Sequence, residues 1–417
     1  MNEEANRMAV IDLRQSIIDL YKNNRLDPDL GEILQKSLEG KEITKKEAYR
    51  LIRCNYRNLG VLMSVASIVR NMSKGRRITY SRKVFIPLTN MCRNRCGYCD
   101  FRREPNDPGA EVMSPSKILS IAEAGKRAYC TEALFTLGEK PEERYSEAKE
   151  ELKQMGYNGT LDYLRDACEM VIKKTELLPH SNAGIMTKDE LADLKEVNAS
   201  MGLMLENVSD RLCNKGGPHE LSLGKRPKLR LATIESAGQL RIPFTTGLLI
   251  GIGELPEEIV DSLYAIKALD KNYGHIQEVI IQNFRAKPST PMARHKEPSV
   301  REIAKVIAVA RLVFKDGMNV QVPPNLSPNE YDFYLSAGIN DWGGVSPVTK
   351  DFVNPEAPWP EIKTLKFVTE KRGFELKARL PVYPEFILNK PDLLPESLKS
   401  YITPLVDSEG FVKGGIF

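Results

Sequence analysis

The 417-residue chain has no stretch approaching the ~20 consecutive apolar residues that a membrane-crossing helix needs, so no membrane partner is expected. It lacks a charge excess: 60 basic against 56 acidic residues leave +4, which argues against a general nucleic-acid binder. It lacks an even cysteine framework; Cys54, Cys130, Cys168 and Cys213 are scattered around one cluster of three. An odd, irregular set predicts reduced thiols and a cytoplasmic setting rather than disulfides. The first residues, MNEEANRMAVIDLRQSIIDL, are acidic and have no apolar core, so they do not read as a signal peptide. Repeats and low-complexity tracts are missing, and so is a second C-x2-C pair. His180, His219, His275 and His295 stand alone, as ordinary loop or core histidines do.

What is there is a regular alternation. Short apolar runs at 83–89, 132–138, 178–184, 199–206, 243–251, 276–283, 318–323 and 338–344 predict strands. Between them lie amphipathic helical patterns, one opening at Ser114-Pro115, a favoured cap and first-turn pair. Strands alternating with helices predict parallel β/α units, and eight of them a (β/α)8 TIM-type barrel, α/β in class, with its chemistry on the loops after the strands. The expected division is a helical N-terminal extension over 1–80, a barrel over 81–355 and a Pro-rich C-terminal extension packed on it over 356–417. The early helices include a pattern over 7–23 and one capped by Thr44.

The cluster is NMCRNRCGYCDF, residues 90–101, in which Cys92, Cys96 and Cys99 form C-x3-C-x2-C directly after the first strand run. A structural zinc site takes four ligands, usually from paired C-x2-C elements. Three soft thiolates on one short loop suit an iron–sulfur cluster better. A 4Fe–4S cube held by three cysteines keeps one iron free for a ligand, which points to chemistry rather than storage.

This pattern, with Tyr98 between the last two cysteines, resembles the radical S-adenosylmethionine (SAM) superfamily. The resemblance implies a 4Fe–4S cluster on Cys92, Cys96 and Cys99 whose open iron chelates SAM. An electron then splits the sulfonium, methionine leaves, and a 5′-deoxyadenosyl radical takes hydrogen from substrate. Further SAM contacts follow from the same likeness. Gly138-Glu139 after strand two resembles a "GGE"-type motif with Leu137 in place of its first glycine. Glu206 ends strand four, and Arg230 follows on the next helix with Arg226 and Arg241 as competitors. Gly251 and Gly253 lie in a "GxIxGxxE"-like turn. The basic run LGKRPKLR (223–230) reads equally as a solvated loop and helix start.

Longer segments, among them FIPLTNMCRNRCGYCDF (85–101), ALFTLGEKPEERY (133–145), LPHSNAGIM (178–186) and GINDWGGVSPVTKDFVNPEAPWP (338–360), resemble the 7,8-didemethyl-8-hydroxy-5-deazariboflavin (FO) synthase family, CofG-type subunit. That likeness implies conversion of a 4-hydroxybenzyl/ribityl-diaminouracil adduct to FO with loss of ammonia, in coenzyme F420 biosynthesis. It also implies a separate adduct-forming radical SAM subunit and an electron donor such as ferredoxin or flavodoxin. Polar strand ends suggest Asn182, Asn283 and Asn325 as contacts to the small-molecule substrate, and Phe244 and Leu248 as apolar walls. Sister radical SAM enzymes, a non-catalytic iron–sulfur protein and a zinc-stapled module remain as alternatives.

Overall fold

The computed structural model describes residues 26–315 and 317–414, with Met8, residues 11–15, Ile17, Asp19 and Asn23 before them. The helical pattern expected over 7–23 therefore lies largely outside the described residues. Helix α1 (Pro28–Leu38) starts where the Asp27 carboxylate accepts the backbone N–H groups of Asp29 and Leu30. Helix α2 (Lys45–Ile52) starts at Thr44, whose hydroxyl and the Glu47 carboxylate form a reciprocal capping box, as the sequence predicts. Helix α3 (Leu59–Lys74) buries Leu62, Val65, Ala66 and Val69.

Eight parallel strands follow: β1 (Arg77–Pro87), β2 (Glu132–Thr136), β3 (Leu178–Asn182), β4 (Ser200–Gly202), β5 (Phe244–Ile250), β6 (Ile276–Asn283), β7 (Asn319–Gln321) and β8 (Asp341–Val345). Each pairs with the next, and β1 pairs with both β2 and β8, so the sheet closes into the expected barrel. Helices α4 (Pro115–Arg127), α5 (Ser146–Gln154), α6 (Thr160–Thr175), α7 (Lys188–Lys195), α8 (Pro227–Gln239), α9 (Pro256–Tyr273) and α10 (Val300–Phe314) fill the crossovers up to β7. Between β7 and β8 there are only 3-10 turns, at Pro324–Leu326 and Tyr331–Ala337. All seven residues of β5 are buried, because helices cover its outer face and neighbouring side chains its inner one.

Helices α2 and α3 pack on α9 and α10. From α3 the buried Arg70 donates to the carbonyls of Leu335 and Ile339, just ahead of β8, so the N-terminal helices reach the N-terminal end of the barrel. The C-terminal segment does more than pack on the outside. After α11 (Ile362–Lys371), strand β9 (Glu375–Arg379) pairs in parallel with residues 77–81 of β1. Residues 379–383 then close the barrel floor, where the Pro381 carbonyl accepts from Gln277 Nε2 at 2.9 Å and Ser200 Oγ at 2.7 Å.

Candidate active site

A cavity of about 360 Å³ opens at the C-terminal ends of the strands, and Cys92, Cys96 and Cys99 all face it. Two neighbouring loops fix the cysteine loop. After β2, the Gly138 N–H donates to the Thr89 carbonyl at 2.8 Å, and the Arg93 N–H donates to the Glu139 carbonyl at 3.0 Å. Gly138 has to be glycine, since a Cβ there would stand 1.9 Å from the Met91 carbonyl oxygen and 2.9 Å from Cys92 Cβ. From the other side, the Gly97 N–H donates to the Pro218 carbonyl (2.8 Å), that of Arg95 to Leu221 (3.1 Å), and that of Gly224 to Asn94 Oδ1 (2.9 Å).

The sulfurs carry donors suited to thiolates. Cys92 Sγ accepts the N–H groups of Asn94 (3.4 Å) and Glu139 (3.2 Å), and Cys96 Sγ accepts the Ser222 hydroxyl (3.4 Å). Burial pushes the Cys92 thiol up to about 12, with Cys96 adding to the rise. Burial also raises Cys96, against the pull of Lys225. Such sulfurs ionise readily only beside a compensating soft cation, so the donor set fits an iron–sulfur cluster. All seven cysteines are unpaired. Among the described residues no three Cys, His, Asp or Glu side chains converge on a single-ion point; the three thiols share a wall.

Tyr98 lies on the same wall, its hydroxyl 3.0 Å from His219 Nε2 and its ring packed beside Leu249 and Phe284. Burial, then Lys225 and Arg230, lower His219 to about 2, so the ring is neutral. Glu206, at φ +64, lines the cavity in the left-handed region; its N–H donates to the Gly247 carbonyl, and its carboxylate pairs with Lys225. The basic run is thus partly internal. Arg230 is 3 % exposed, donates Nη1–H to the Met204 carbonyl, and leaves Nε buried without an acceptor. Its competitors are placed elsewhere: Arg241 pairs with Asp392 at the surface, and Arg226 stands at the N-cap position of α8 without a side-chain bond to the helix. Glu139 lines the cavity, but its carboxylate already holds Arg93 at 2.8 Å and the Ile185 N–H at 3.1 Å.

Other expected contacts fall into two groups. Asn182 and Asn283 line the cavity, and Asn283 Oδ1 is buried without a donor. Asn325 stands behind the wall, its amide donating to Asp351 and the Ala357 carbonyl. Gly251 and Gly253 do not reach this cavity. The Glu254 carboxylate takes the N–H groups of Gly251 and Ile252 and folds the turn toward Pro298, so it borders a separate pocket. Phe244 and Leu248 are also out of place as walls: both are buried in the main core, and Thr245 and Leu249 face inward instead.

The radical SAM superfamily matches residues 86–264, from the last residues of β1 into α9. Among curated proteins, the 7,8-didemethyl-8-hydroxy-5-deazariboflavin synthase of Methanopyrus kandleri is 52 % identical over 336 residues, 81 % of this chain and 100 % of that protein. The chain belongs to this synthase family. The Methanocaldococcus jannaschii synthase is 55 % identical over 319 residues, 76 % of this chain and 87 % of its own. Among solved structures, the [FeFe]-hydrogenase maturase HydG from Carboxydothermus hydrogenoformans superposes with a TM-score of 0.70 at 18 % identity, covering 97 % of this chain and 96 % of its own. Methylornithine synthase (PylB) gives 0.65 at 21 %, covering 82 % and 97 %. These two likenesses concern the fold. A radical SAM enzyme of the FO synthase family on a β/α barrel agrees with the reading of the cysteine loop and the strand pattern.

In this FO synthase family member the cavity floor carries groups that the sequence did not single out. Arg379, from β9, pairs with Asp341 at 2.6 Å and Glu278 at 3.4 Å, over the Tyr383 ring at 3.9 Å. His180 Nδ1 lies 2.6 Å from Ser200 Oγ, and burial lowers the imidazole to about 4. Lys83, Glu132, Gln321 and Trp359 complete the floor. The available signal was a charge at an inward position of a buried strand, as at Lys83 in KVFIP and Glu278 in IQEVIIQN.

Proposed function

We propose that the protein converts 5-amino-5-(4-hydroxybenzyl)-6-(D-ribitylimino)-5,6-dihydrouracil to FO, releasing ammonia, 5′-deoxyadenosine and methionine. This is a lyase-type step toward coenzyme F420. The observation that supports the reading most is one cavity, walled by Cys92, Cys96 and Cys99, in a chain 52 % identical across the whole length of a named FO synthase.

Cys92, Cys96 and Cys99 hold the 4Fe–4S cluster in this reading. When bound, the cluster and SAM supply one-electron cleavage of the sulfonium and a radical able to take hydrogen from substrate. The chain's own groups bind and orient. Arg230, on the cavity wall, offers its guanidinium to the SAM carboxylate, the kind of contact guanidinium geometry favours. Glu206 and Lys225 present a charged pair beside Cys96. Gly138 lets the strand-two loop approach the cysteines, while Tyr98 and Leu249 screen the site from water. Asn182 and Asn283 face the substrate. A separate radical SAM subunit supplies the adduct, a ferredoxin or flavodoxin supplies electrons, and the setting is the cytoplasm.

Anaerobically reconstituted protein, given synthetic adduct, SAM and a reductant, should form FO, read by its fluorescence, together with 5′-deoxyadenosine. Cys96→Ala should form neither. SAM cleavage with the adduct untouched would sink the substrate assignment, and wild-type rates in Cys96→Ala the cluster assignment.

A further inference from the structure

Lys83 is buried, 7 % exposed, and points into the cavity from an inward position of β1. Its ammonium has no hydrogen-bond or ion-pair partner among the described residues. Its nearest contacts are ring faces, with Nζ 4.9 Å from the Trp359 centroid and 5.7 Å from that of Phe85. Glu132, Glu278 and Asp351 surround it, yet each is engaged elsewhere: Glu132 by Ser81, Glu278 by Tyr383 and Thr245, and Asp351 by Asn325 and Asn354. Beside Lys83, Trp359 Nε1 is buried without an acceptor.

Lys83 Nζ opens on the cavity and Trp359 lines the same wall, so a ligand in the cavity can give the ammonium the acceptor that the protein does not. The backbone is shaped to keep Lys83 there. A Cβ on Gly344 would lie 2.3 Å from Lys83 Cδ and 2.6 Å from Nζ, so only a bare strand face lets the lysine cross β8. Gly343, at φ +73, makes the same room for Gln321, where a Cβ would fall 2.1 Å from Nε2. An ammonium on the cavity over an indole face matches a flat ligand that carries oxygen acceptors.

We propose that Lys83 Nζ and the Trp359 indole form the subsite that binds a pyrimidinedione, the ammonium meeting its ureide carbonyl oxygens, with Trp359 brought to the barrel by the C-terminal segment. The assignment rests on the functional reading above and names the substrate half that faces the floor. A pyrimidinedione offers two carbonyl acceptors in one plane, and the amides of Gln321 and Asn182, also on this cavity, can meet its N–H edge. The phenol half offers a single hydroxyl, which itself donates.

The experiment titrates reconstituted protein with 5-amino-6-(D-ribitylamino)uracil, with ribitol as a parallel probe, by calorimetry and intrinsic fluorescence. The chain has two tryptophans, and Trp342 is sealed in the core with its Nε1–H on Thr369, so Trp359 is the one that reports on the cavity. Binding of the uracil but not ribitol is expected. Lys83→Met, which keeps the length over the indole, should weaken it about 10-fold or more, and Trp359→Phe about 5-fold with loss of the fluorescence response. Lys350→Met, at an exposed lysine, is the control. Unchanged uracil affinity in both Lys83→Met and Trp359→Phe, no uracil binding by the wild type, or ribitol binding that is equally sensitive to Lys83→Met would each overturn the subsite. FO formation from the adduct by the wild type judges the functional reading separately.

Discussion

Arg93 and Glu139 form a buried ion pair, 2.8 Å between Nη2 and Oε1, that ties the cysteine loop to the loop after β2. The carboxylate passes between two bare backbones: a Cβ on Gly184 would lie 2.3 Å from Oε2, and one on Gly224 2.0 Å from Oε1. Glu139→Gln keeps the shape and removes the charge, leaving Arg93 with only the half-exposed Glu143. Removing one partner of a buried pair costs about 3 kcal/mol. The variant should unfold at lower denaturant concentration and retain less iron per chain. A rise in KM for SAM with stability unchanged would show that Glu139 serves SAM directly.

Gly138→Ala tests the closest approach in the site. The new methyl cannot coexist with the Met91 carbonyl oxygen at 1.9 Å, and that atom is backbone, so the cysteine loop itself must move. Reconstituted Gly138→Ala should show weaker sulfur-to-iron charge-transfer absorption than the wild type, on the order of half or less where misplacement loosens one ligand. An unchanged spectrum and iron content would show that the loop tolerates the shift.

The floor was the part least legible in the sequence. Eight strands could be read from apolar runs bounded by turns, and each run overlaps an observed strand. The first strand begins earlier than its run, at Arg77, because RITYSR mixes polar and apolar residues where β1 pairs with β9. In β5 every residue is apolar or small, so no alternation marks the inward phase; that is why Thr245 and Leu249 line the cavity where Phe244 and Leu248 were expected. The cysteines were legible because their spacing on one loop is local. Lys83, Glu278 and Arg379 are single charges far apart in the chain, and only ring closure makes them neighbours. The turn at Gly251 and Gly253 misled for the opposite reason: its glycines serve a local carboxylate cap by Glu254.

Arg379→Met should separate plugging from catalysis. The guanidinium is 4 % exposed and satisfies Asp341 and Glu278, which would both be left buried without it. A loss of about 3–5 kcal/mol is expected. The unfolding free energy extrapolated to water should drop by that amount, and a combined Arg379→Met, Asp341→Asn, Glu278→Gln variant should recover part of it. No loss in the single variant would mean that the C-terminal segment does not hold the floor closed.

Acid should destabilise the protein from a pH well above that at which carboxylates titrate. Burial lowers His180 and His275 to about 4 in the folded chain, whereas the unfolded chain takes up their protons near 6.5. For groups whose folded pKa is depressed, stability is present above the unfolded value. It is lost as pH falls toward the folded one, because the unfolded state binds more protons over that window. Each histidine then contributes a slope of up to about 1.4 kcal/mol per pH unit between roughly 6.5 and 4. His275 donates through Nε2 to the Ile234 carbonyl at 2.9 Å, and its Nδ1 has no partner. His275→Gln can keep that donor and has nothing to protonate. Urea midpoints measured at pH 7 and pH 5 should therefore differ less for His275→Gln than for the wild type, and equal differences would show that His275 is not a source of the acid sensitivity.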